Sequence, residues 1–282
     1  MTPHFKPILG RISGRIAAGA LTAASMAAAG QAFAQGPAQV PAAPAQPNAP
    51  AVPQRVAPAL RFVVVLDAAH GGDDGGGQVG GSVAEKTVTL ELSVRLRSLL
   101  AARGFWVVTT REGNVNLDSD ARAQIANHAT FGAGDAACLS LHASEAGTGV
   151  HIFVSSLEPA AAPRFLAWKT AQSAYVSRSL KLAGTVNSAL EQSSSADGGD
   201  ANAAPIPATL ARASLPGLDS MTCPALAIEM APLRDADRKI VTDVTDSDYQ
   251  AKVAQALAAA LLEWRSDAAP DSRPDSRVGA QP

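Results

Sequence analysis

Short runs of consecutive apolar residues, separated by longer helical stretches, constrain this chain more than any other feature of its sequence. Apolar runs without polar alternation are typical of strands that are buried on both faces. Such strands are predicted at residues 62–66, 105–109, 137–141, 150–154 and 224–228. Helices are predicted at residues 85–103, 119–129, 164–190 and 247–264, the last opening on a Ser247-x-x-Gln250 capping box. The alternation predicts a single three-layer α/β/α domain with a mainly parallel, twisted sheet.

The first 34 residues have the composition of a secretory signal peptide. They carry three basic residues, no acidic residue, an alanine-rich apolar run and then Ala32-Phe33-Ala34. Cleavage near Ala34-Gln35 is predicted, with an uncleaved membrane anchor as the alternative. Cleavage is favoured because the run is shorter than the ~20 strongly apolar residues that a spanning helix needs. We expect an exported protein with no transmembrane span in its mature form, and we favour the periplasm over full secretion.

Residues 35–59 and 267–282 frame the predicted domain at residues 60–266. The first segment is a Pro/Ala-rich linker that favours extended conformations, and the second is a polar tail that we expect to be disordered. The whole chain has 23 basic and 25 acidic residues, a net charge of -2. This balance excludes a generally basic protein that binds nucleic acid or anionic lipid.

The chain has two cysteines, Cys138 and Cys223. Two cysteines are too few for a disulfide framework or a four-thiolate zinc site. Each lies at an apolar predicted strand, and cysteine is among the most frequently buried residues, so free buried thiols are expected. A single disulfide is the alternative, because exported proteins fold in an oxidising compartment.

Four residues whose side chains can bind metal or transfer protons lie at the ends of predicted strands or at the start of a predicted helix. His70, His142 and Glu229 follow or close apolar strands, and Glu85 begins the first helix. Open α/β sheets bind ligands outside the carboxyl ends of their strands, so these side chains are expected at one edge of the sheet. His151 begins another strand; a structural role is favoured for it, with contact to the rim of a cleft as the alternative.

Each candidate also has a purely structural interpretation. His70 would simply end a strand beside two glycines, and His142 would be a hydrogen-bonded core histidine. Glu85 completes a Ser82-x-x-Glu85 capping box, in which the carboxylate accepts from a free helix N–H. Glu229 is the hardest to explain this way, because carboxylates are rarely buried without a partner. The four residues together are more informative than any one of them.

Two histidines and a carboxylate form a zinc site of the His₂Glu type, which leaves a fourth position for water. Zinc lowers the pKa of that water, and a second carboxylate, here Glu229, can pass its proton to a leaving amine. A two-carboxylate glycosidase would leave both histidines without a function. A nucleotide site is disfavoured because Asp73 and Asp74 would repel phosphate, and no nucleophilic-serine turn of the G-x-S-x-G type is present.

Four motifs in order resemble those of the zinc-dependent N-acetylmuramoyl-L-alanine amidases of bacterial cell walls, the amidase 3 type. The motifs are Val-Val-Leu-Asp-Ala-Ala-His70-Gly-Gly, Glu85-Lys86, Leu-Ser-Leu-His142-Ala-Ser and Cys-Pro-Ala-Leu-Ala-Ile-Glu229. Further matches are Thr109-Thr110-Arg111, Arg122, Ala126-Asn127 and Gly149-Val150. The resemblance covers most of residues 62–265.

By this resemblance, residues 60–266 are a zinc amidase catalytic domain in which His70, Glu85 and His142 bind Zn²⁺ and Glu229 is the catalytic carboxylate. The family hydrolyses the amide between N-acetylmuramic acid and the L-alanine of the stem peptide by zinc-activated water. Peptidoglycan is then the expected substrate, and a protein activator is a further candidate partner.

The sequence departs from the family pattern in three places. Ala68-Ala69 stands where Pro-Gly is usual, Met230-Ala231-Pro232-Leu233-Arg234 follows Glu229 in place of Leu-Gly-Phe, and Pro159–Ala204 is unlike the short family versions. A regulatory or substrate-shaping role for that long segment is open. Two other functions also stay open: a zinc carboxypeptidase or peptidase on the stem peptide, and a non-catalytic wall-binding module of the same fold.

Overall fold

A six-stranded sheet forms the centre of the computed structural model, which describes residues 61–133, 135–160, 166–193 and 204–268. The strands are β1 Phe62–Ala68, β2 Gln78–Val79, β3 Val83–Ala84, β4 Trp106–Thr109, β5 Asp135–Ala143, β6 Val150–Ser155, β7 Ala208–Ala213, β8 Ala225–Met230, β9 Leu233–Arg234 and β10 Ile240–Thr242. The central sheet has the order β4-β1-β5-β8-β6-β7, and β2-β3 and β9-β10 are small hairpins. Only β6 and β8 pair antiparallel within the sheet, so the predicted mainly parallel arrangement is confirmed.

Helices cover both faces of the sheet, as the predicted three-layer fold requires. They are α1 Glu85–Ala102, α2 Ser119–Thr130, α3 Val176–Glu191, α4 Pro216–Asp219 and α5 Ser247–Ala268, with a 3₁₀ helix at Trp168–Ala174. Helices α1, α3 and α5 bury the larger apolar cluster on one face, and α2 and α4 bury a smaller one on the other. No helix in the described ranges is long and apolar enough to cross a membrane.

The predicted helix at residues 164–190 is divided, and its second half belongs to the core. Gln172 lies in the 3₁₀ segment with its buried amide donating to the carbonyls of Met221 and Cys223. Helix α3 follows and buries Leu182 and Leu190 under the sheet. The local break therefore reflects a tertiary contact that helical spacing alone does not encode. Strand β7 was not predicted, since it is an edge strand whose residues are mostly exposed.

The last helix extends beyond the predicted end of the domain. The predicted signal peptide and linker lie outside the described residues, as does the tail beyond Ala268. Helix α5 continues to Ala268, two residues past the predicted domain end. Its cap is Asp246, whose Oδ1 accepts from the N–H groups of Asp248 and Tyr249. The predicted capping role of Ser247 is wrong, because an Asp one position earlier satisfies the free N–H groups.

The expectation of free thiols is also wrong, because Cys138 and Cys223 form a disulfide. The cause is the parallel pairing of β5 with β8, in which Cys138 lies opposite Ala225 and therefore close to the residue two positions before it. The Cα atoms are 6.2 Å apart, within the range that a disulfide spans. Both side chains are buried in the smaller apolar cluster, so the cross-link joins the two strands that carry His142 and Glu229.

A buried carboxylate at the end of β1 ties three parts of the sheet edge together. Asp67 is 4% exposed and accepts hydrogen bonds from Thr110, Arg122 and Ser140 at 2.7–2.8 Å. The guanidinium of Arg122 also donates to the backbone carbonyls of Ala68 and His70. Helix α2, the residue after β4 and strand β5 are thereby held around the point where β1 ends.

Replacing Arg122 with Leu should destabilise the fold by about 3–5 kcal/mol, because it leaves the Asp67 carboxylate buried without its countercharge. The matched control is Arg97→Leu, which removes a solvent-exposed pair with Glu112 and should cost less than about 1 kcal/mol. Urea unfolding followed by circular dichroism measures both. Equal losses of unfolding free energy in the two variants would show that the buried pair stabilises the fold no more than the exposed pair does.

Replacing both cysteines with alanine should lower the free energy of unfolding by about 4–5 kcal/mol, since the cross-link constrains an unfolded chain over a separation of 85 residues. The same urea titration gives the value. Wild-type protein that is unfolded and refolded in reductant serves as the control and should match the double variant. An unchanged unfolding midpoint in both samples would refute this contribution.

Candidate metal centre

Three of the four candidate residues converge at the edge of the sheet. His70 follows β1, Glu85 is the first residue of α1 and His142 lies near the end of β5. Their ligand atoms all lie within 4.8 Å of one another. Oε2 of Glu85 is 3.1 Å from Nε2 of His70, and Oε1 is 3.2 Å from Nδ1 of His142. One carboxylate thus faces a ring nitrogen of each histidine.

This donor set suits a zinc ion. Zinc takes imidazole nitrogen and carboxylate oxygen at about 2.0–2.2 Å, so neighbouring ligands of a tetrahedral ion lie roughly 3.3–3.5 Å apart. The two nitrogen–oxygen distances fall just short of this spacing. Three protein ligands would leave one position of a tetrahedral ion for water or substrate. His70, Glu85 and His142 are therefore the residues that could hold a metal here.

Glu85 is held as an ionised acceptor and does not cap its helix. Burial by itself raises the pKa of its carboxyl, but hydrogen bonds from the N–H groups of Gly77 and Ala143 act against that effect, and the pKa lies below its ordinary value. The N-cap position is Ala84, whose side chain makes no capping bond. The capping-box interpretation of Glu85 is therefore wrong, because the carboxylate turns towards the two histidines.

His70 is held in an unusual backbone conformation. Its φ is 61°, in the left-handed region that a residue with a Cβ seldom adopts. The donor bond from Arg122 to its carbonyl and the 2.8 Å contact of its Nδ1 with Oδ2 of Asp74 fix the backbone and the ring together. Gly76 must be glycine, since a Cβ there would lie 2.6 Å from both Glu85 and the ring of His70.

Asp74 is the partner of His70 on the side away from Glu85. The hydrogen bond with His70 is the main cause that lowers the pKa of the Asp74 carboxyl, and the N–H of Gly76 adds to it. The carboxylate is therefore ionised at neutral pH. It acts as a pure hydrogen-bond acceptor towards the ring.

Glu229 lies beside the three-residue cluster and is not part of it. In the pairing of β5 with β8, His142 is directly opposite Glu229, and both belong to the sheet face that carries Cys138 and Ala227. Glu229 is half-buried, between fully buried neighbours. Its side chain thus starts next to the His142 side chain, one strand away, where it can reach a substrate without occupying the cluster.

His151 lies next to Glu229 on the neighbouring strand β6, on the side away from His142. The pairing of β6 with β8 places it opposite Glu229, and its Nδ1 lies 2.8 Å from Oγ1 of Thr209 on β7. Its Nε2 is buried against Gly147 and has no hydrogen-bond partner among the described residues. His151 is therefore a neighbour of the site that is fixed by the edge strand.

A cleft of about 380 Å³ opens beside His70 and His142 on the same face of the sheet. The start of α2 and the segment around α4 form its other walls. The lining combines polar side chains, small apolar side chains and backbone, and the wall residues are Asn116, Leu117, Asp118, Ser119, Arg122, Leu215, Pro216, Gly217 and Leu218. The short helix α4, which has no clear apolar period, was not predicted from the sequence.

Two residues that contact the histidines were missed at the level of sequence. The sequence pattern places Asp74 in an acidic, glycine-rich loop and Ser140 in a buried strand, and neither position by itself indicates a contact with a histidine. The signals were their spacings, since Asp74 comes four residues after His70 and Ser140 two residues before His142. The second spacing places Ser140 and His142 on one face of a strand.

Comparison with known proteins agrees with this geometry. Residues 64–263 match the model of the Amidase_3 family, N-acetylmuramoyl-L-alanine amidase. The germination-specific N-acetylmuramoyl-L-alanine amidase of Bacillus subtilis (strain 168) is 47% identical over 55 residues, which are 20% of this chain and 23% of that protein. The match thus spans less than a quarter of the curated relative.

Two solved structures share the fold. The catalytic domain of CwlV, an N-acetylmuramoyl-L-alanine amidase from Bacillus (Paenibacillus) polymyxa var. colistinus, is 22% identical with a TM-score of 0.53, over 73% of this chain and 98% of that one. The CwlD amidase of Clostridioides difficile, in complex with the GerS lipoprotein, is 20% identical with a TM-score of 0.51, over 73% and 98%. Because the family model spans most of the chain, this protein belongs to the Amidase_3 family of N-acetylmuramoyl-L-alanine amidases.

Proposed function

We propose that this protein is a zinc-dependent peptidoglycan hydrolase that cleaves the amide between N-acetylmuramic acid and the L-alanine of the stem peptide. The observation that carries the proposal is the convergence of His70, Glu85 and His142 beside Glu229, in a chain of the amidase family. Three neutral or anionic ligands and one separate carboxylate are the parts that hydrolysis by a metal-activated water requires.

The metal and Glu229 have separate tasks in this reaction. Zinc bound by the three ligands would polarise the scissile carbonyl and lower the pKa of the attacking water towards neutrality. Glu229 takes the proton that the water loses and delivers it to the nitrogen of the leaving L-alanine. The products are the lactyl carboxylate on the glycan and a stem peptide with a free amino terminus.

The cleft beside His70 and His142 is the proposed substrate site. It lies on the sheet face that carries His142 and Glu229, so a scissile amide that reaches the cluster is within range of both. Its volume of about 380 Å³ is too small for a glycan strand together with a stem peptide. We infer that the cleft accepts the part of the muropeptide next to the scissile bond, while the rest extends over the rim.

Export to the periplasm and a protein partner are proposed with the function. Peptidoglycan lies outside the cytoplasmic membrane, and the first 34 residues have the composition of a signal peptide. The structural relative CwlD was solved in complex with a lipoprotein, which supports a protein partner for this chain as well.

Purified protein should release stem peptides that begin with L-alanine from isolated peptidoglycan and leave the glycan strands intact. Mass spectrometry of the digest identifies the products. A zinc chelator should abolish release, and Glu229→Gln should lower the rate by about 10²–10⁴-fold, the usual contribution of a general acid–base group. The matched control is Glu91→Gln, an exposed residue of α1 that should leave the rate unchanged.

Other products would assign another function. Cuts within the stem peptide would identify a zinc peptidase. Peptidoglycan binding with stoichiometric zinc and no cleavage, in the presence of the cell's own wall-associated proteins as a source of activator, would identify a non-catalytic wall-binding module.

A further inference from the structure

We propose that Asp74 and Ser140 are positioning residues that make the two histidines offer different ring nitrogens to the metal, Nε2 from His70 and Nδ1 from His142. The inference rests on the zinc site of the proposed function and goes beyond it, because it assigns tasks to two residues that act through the histidines. Each residue fixes the proton of one imidazole, and it does so through a different kind of contact.

Asp74 fixes the tautomer of His70. Its carboxylate has no proton to donate, so the 2.8 Å contact with Nδ1 of His70 requires that Nδ1 carries the hydrogen. Neutral imidazole has one N–H, so Nε2 keeps a free lone pair, and this is the atom that lies 3.1 Å from Glu85. A carboxylate behind a metal-binding histidine also makes the ring more basic.

The backbone brings Asp74 back onto the His70 ring. The N–H of Gly71 donates to the carbonyl of Asp74 at 2.8 Å, and the N–H of Asp74 donates to the carbonyl of Gly71 at 3.2 Å. This pair of bonds closes a tight loop directly after His70. The second oxygen of Asp74 accepts from the N–H of Gly76, so the carboxylate cannot turn away without losing a bond.

Ser140 holds His142 in the tautomer opposite to that of His70, because the single hydroxyl proton of Ser140 is already donated elsewhere. The hydroxyl donates to Oδ2 of Asp67 at 2.8 Å, and Asp67, an acceptor paired with Arg122, cannot return a proton. The oxygen of Ser140 can then only accept from Nε2 of His142, 3.3 Å away. Nε2 therefore carries the hydrogen, and Nδ1 presents its lone pair to Glu85.

The two contacts leave three acceptors pointing at one another. Nδ1 of His70 and Nε2 of His142 carry the protons. The unprotonated nitrogens, Nε2 of His70 and Nδ1 of His142, therefore direct their lone pairs towards the Glu85 carboxylate. Only a cation or an added proton relieves the repulsion between them. The ligands are thus oriented for a metal by bonds that do not involve the metal, and the cost of ordering the rings is met when the chain folds.

Long-range proton–nitrogen NMR spectra of the zinc-loaded full-length protein test the assignment directly, because they distinguish a protonated ring nitrogen from one that binds a metal. We expect Nδ1 to be protonated in His70 and Nε2 in His142. The same nitrogen protonated in both rings would overturn the proposal.

Zinc affinity, measured by competition with a chromophoric chelator, tests Asp74. Asp74→Ala should weaken binding about 10–100-fold, the usual loss for a residue behind a metal ligand. Asp74→Asn should lose less, since its one carbonyl oxygen can still accept from His70 but not also from Gly76. Asp73→Ala is the matched control, because this adjacent acid is exposed and makes no hydrogen bond to His70 or His142 in the described part of the chain, and it should bind zinc like the wild type.

Ser140 is tested by the same competition. Ser140→Ala should weaken zinc binding about 10-fold, and Ser140→Thr, which keeps the hydroxyl, should restore most of it. Thermal unfolding of the metal-free variants separates the two possible causes. Loss of affinity with an unchanged melting temperature supports positioning, and wild-type affinity in Asp74→Ala and Ser140→Ala would refute it.

Failure of this inference differs from failure of the proposed function. Wild-type zinc affinity in both variants, with stem-peptide release intact, would reject the positioning roles and leave the amidase in place. Weakened zinc binding in the variants of a protein that releases no stem peptide would support positioning and reject the amidase.

Discussion

The arrangement of the candidate site depends on the hydrogen bonds and the ion pair of the buried Asp67 carboxylate. A charge that is 4% exposed is tolerated only when it is paired and fully hydrogen-bonded, and Asp67 meets this with Arg122, Thr110 and Ser140. These three donors come from a helix, the end of an edge strand and the central strand. The same group therefore fixes the tertiary arrangement at the end of β1 and, through Ser140, the proton on His142.

The register of β5 with β8 determines the relative positions of the disulfide, His142 and Glu229. Side chains two residues apart on one strand share a face, so Cys138, Ser140 and His142 form a column on β5. Parallel pairing with β8 places the disulfide at the bottom of this column and Glu229 beside its top. A shift of β8 by one residue would turn Glu229 to the other face of the sheet, where α1, α3 and α5 pack. The disulfide ties β5 to the segment directly before β8 and so supports the register that places His142 opposite Glu229.

The sequence predicts the layers and the location of the site better than it predicts the contacts within it. Apolar runs and helical spacing identify the buried strands because burial on both faces leaves no polar alternation. The positions of His70 and His142 after such strands are enough to place them at one edge. The disulfide, the tautomers and the task of Ser140 depend on which strands become neighbours. In this sheet β8 is inserted between β5 and β6, and that order is not a local property of the chain.

Main-chain hydrogen bonds hold the two short segments in which the sequence departs from the family pattern beside the site. At Ala68-Ala69 the contacts are made by main-chain atoms: Arg111 donates to both carbonyls, and the N–H of Ala69 donates to Leu141. These bonds are independent of the side chains at the two positions.

The segment after Glu229 is anchored in a similar manner. The N–H of Ala231 donates to Gly149, its carbonyl accepts from Tyr249, and the guanidinium of Arg234 donates to three carbonyls in the loop after His142 and the adjoining hairpin. Burial raises the pKa of the Tyr249 phenol, so this donor stays protonated at neutral pH. The altered segment after Glu229 is thus fixed by hydrogen bonds to the loop after His142 and to helix α5.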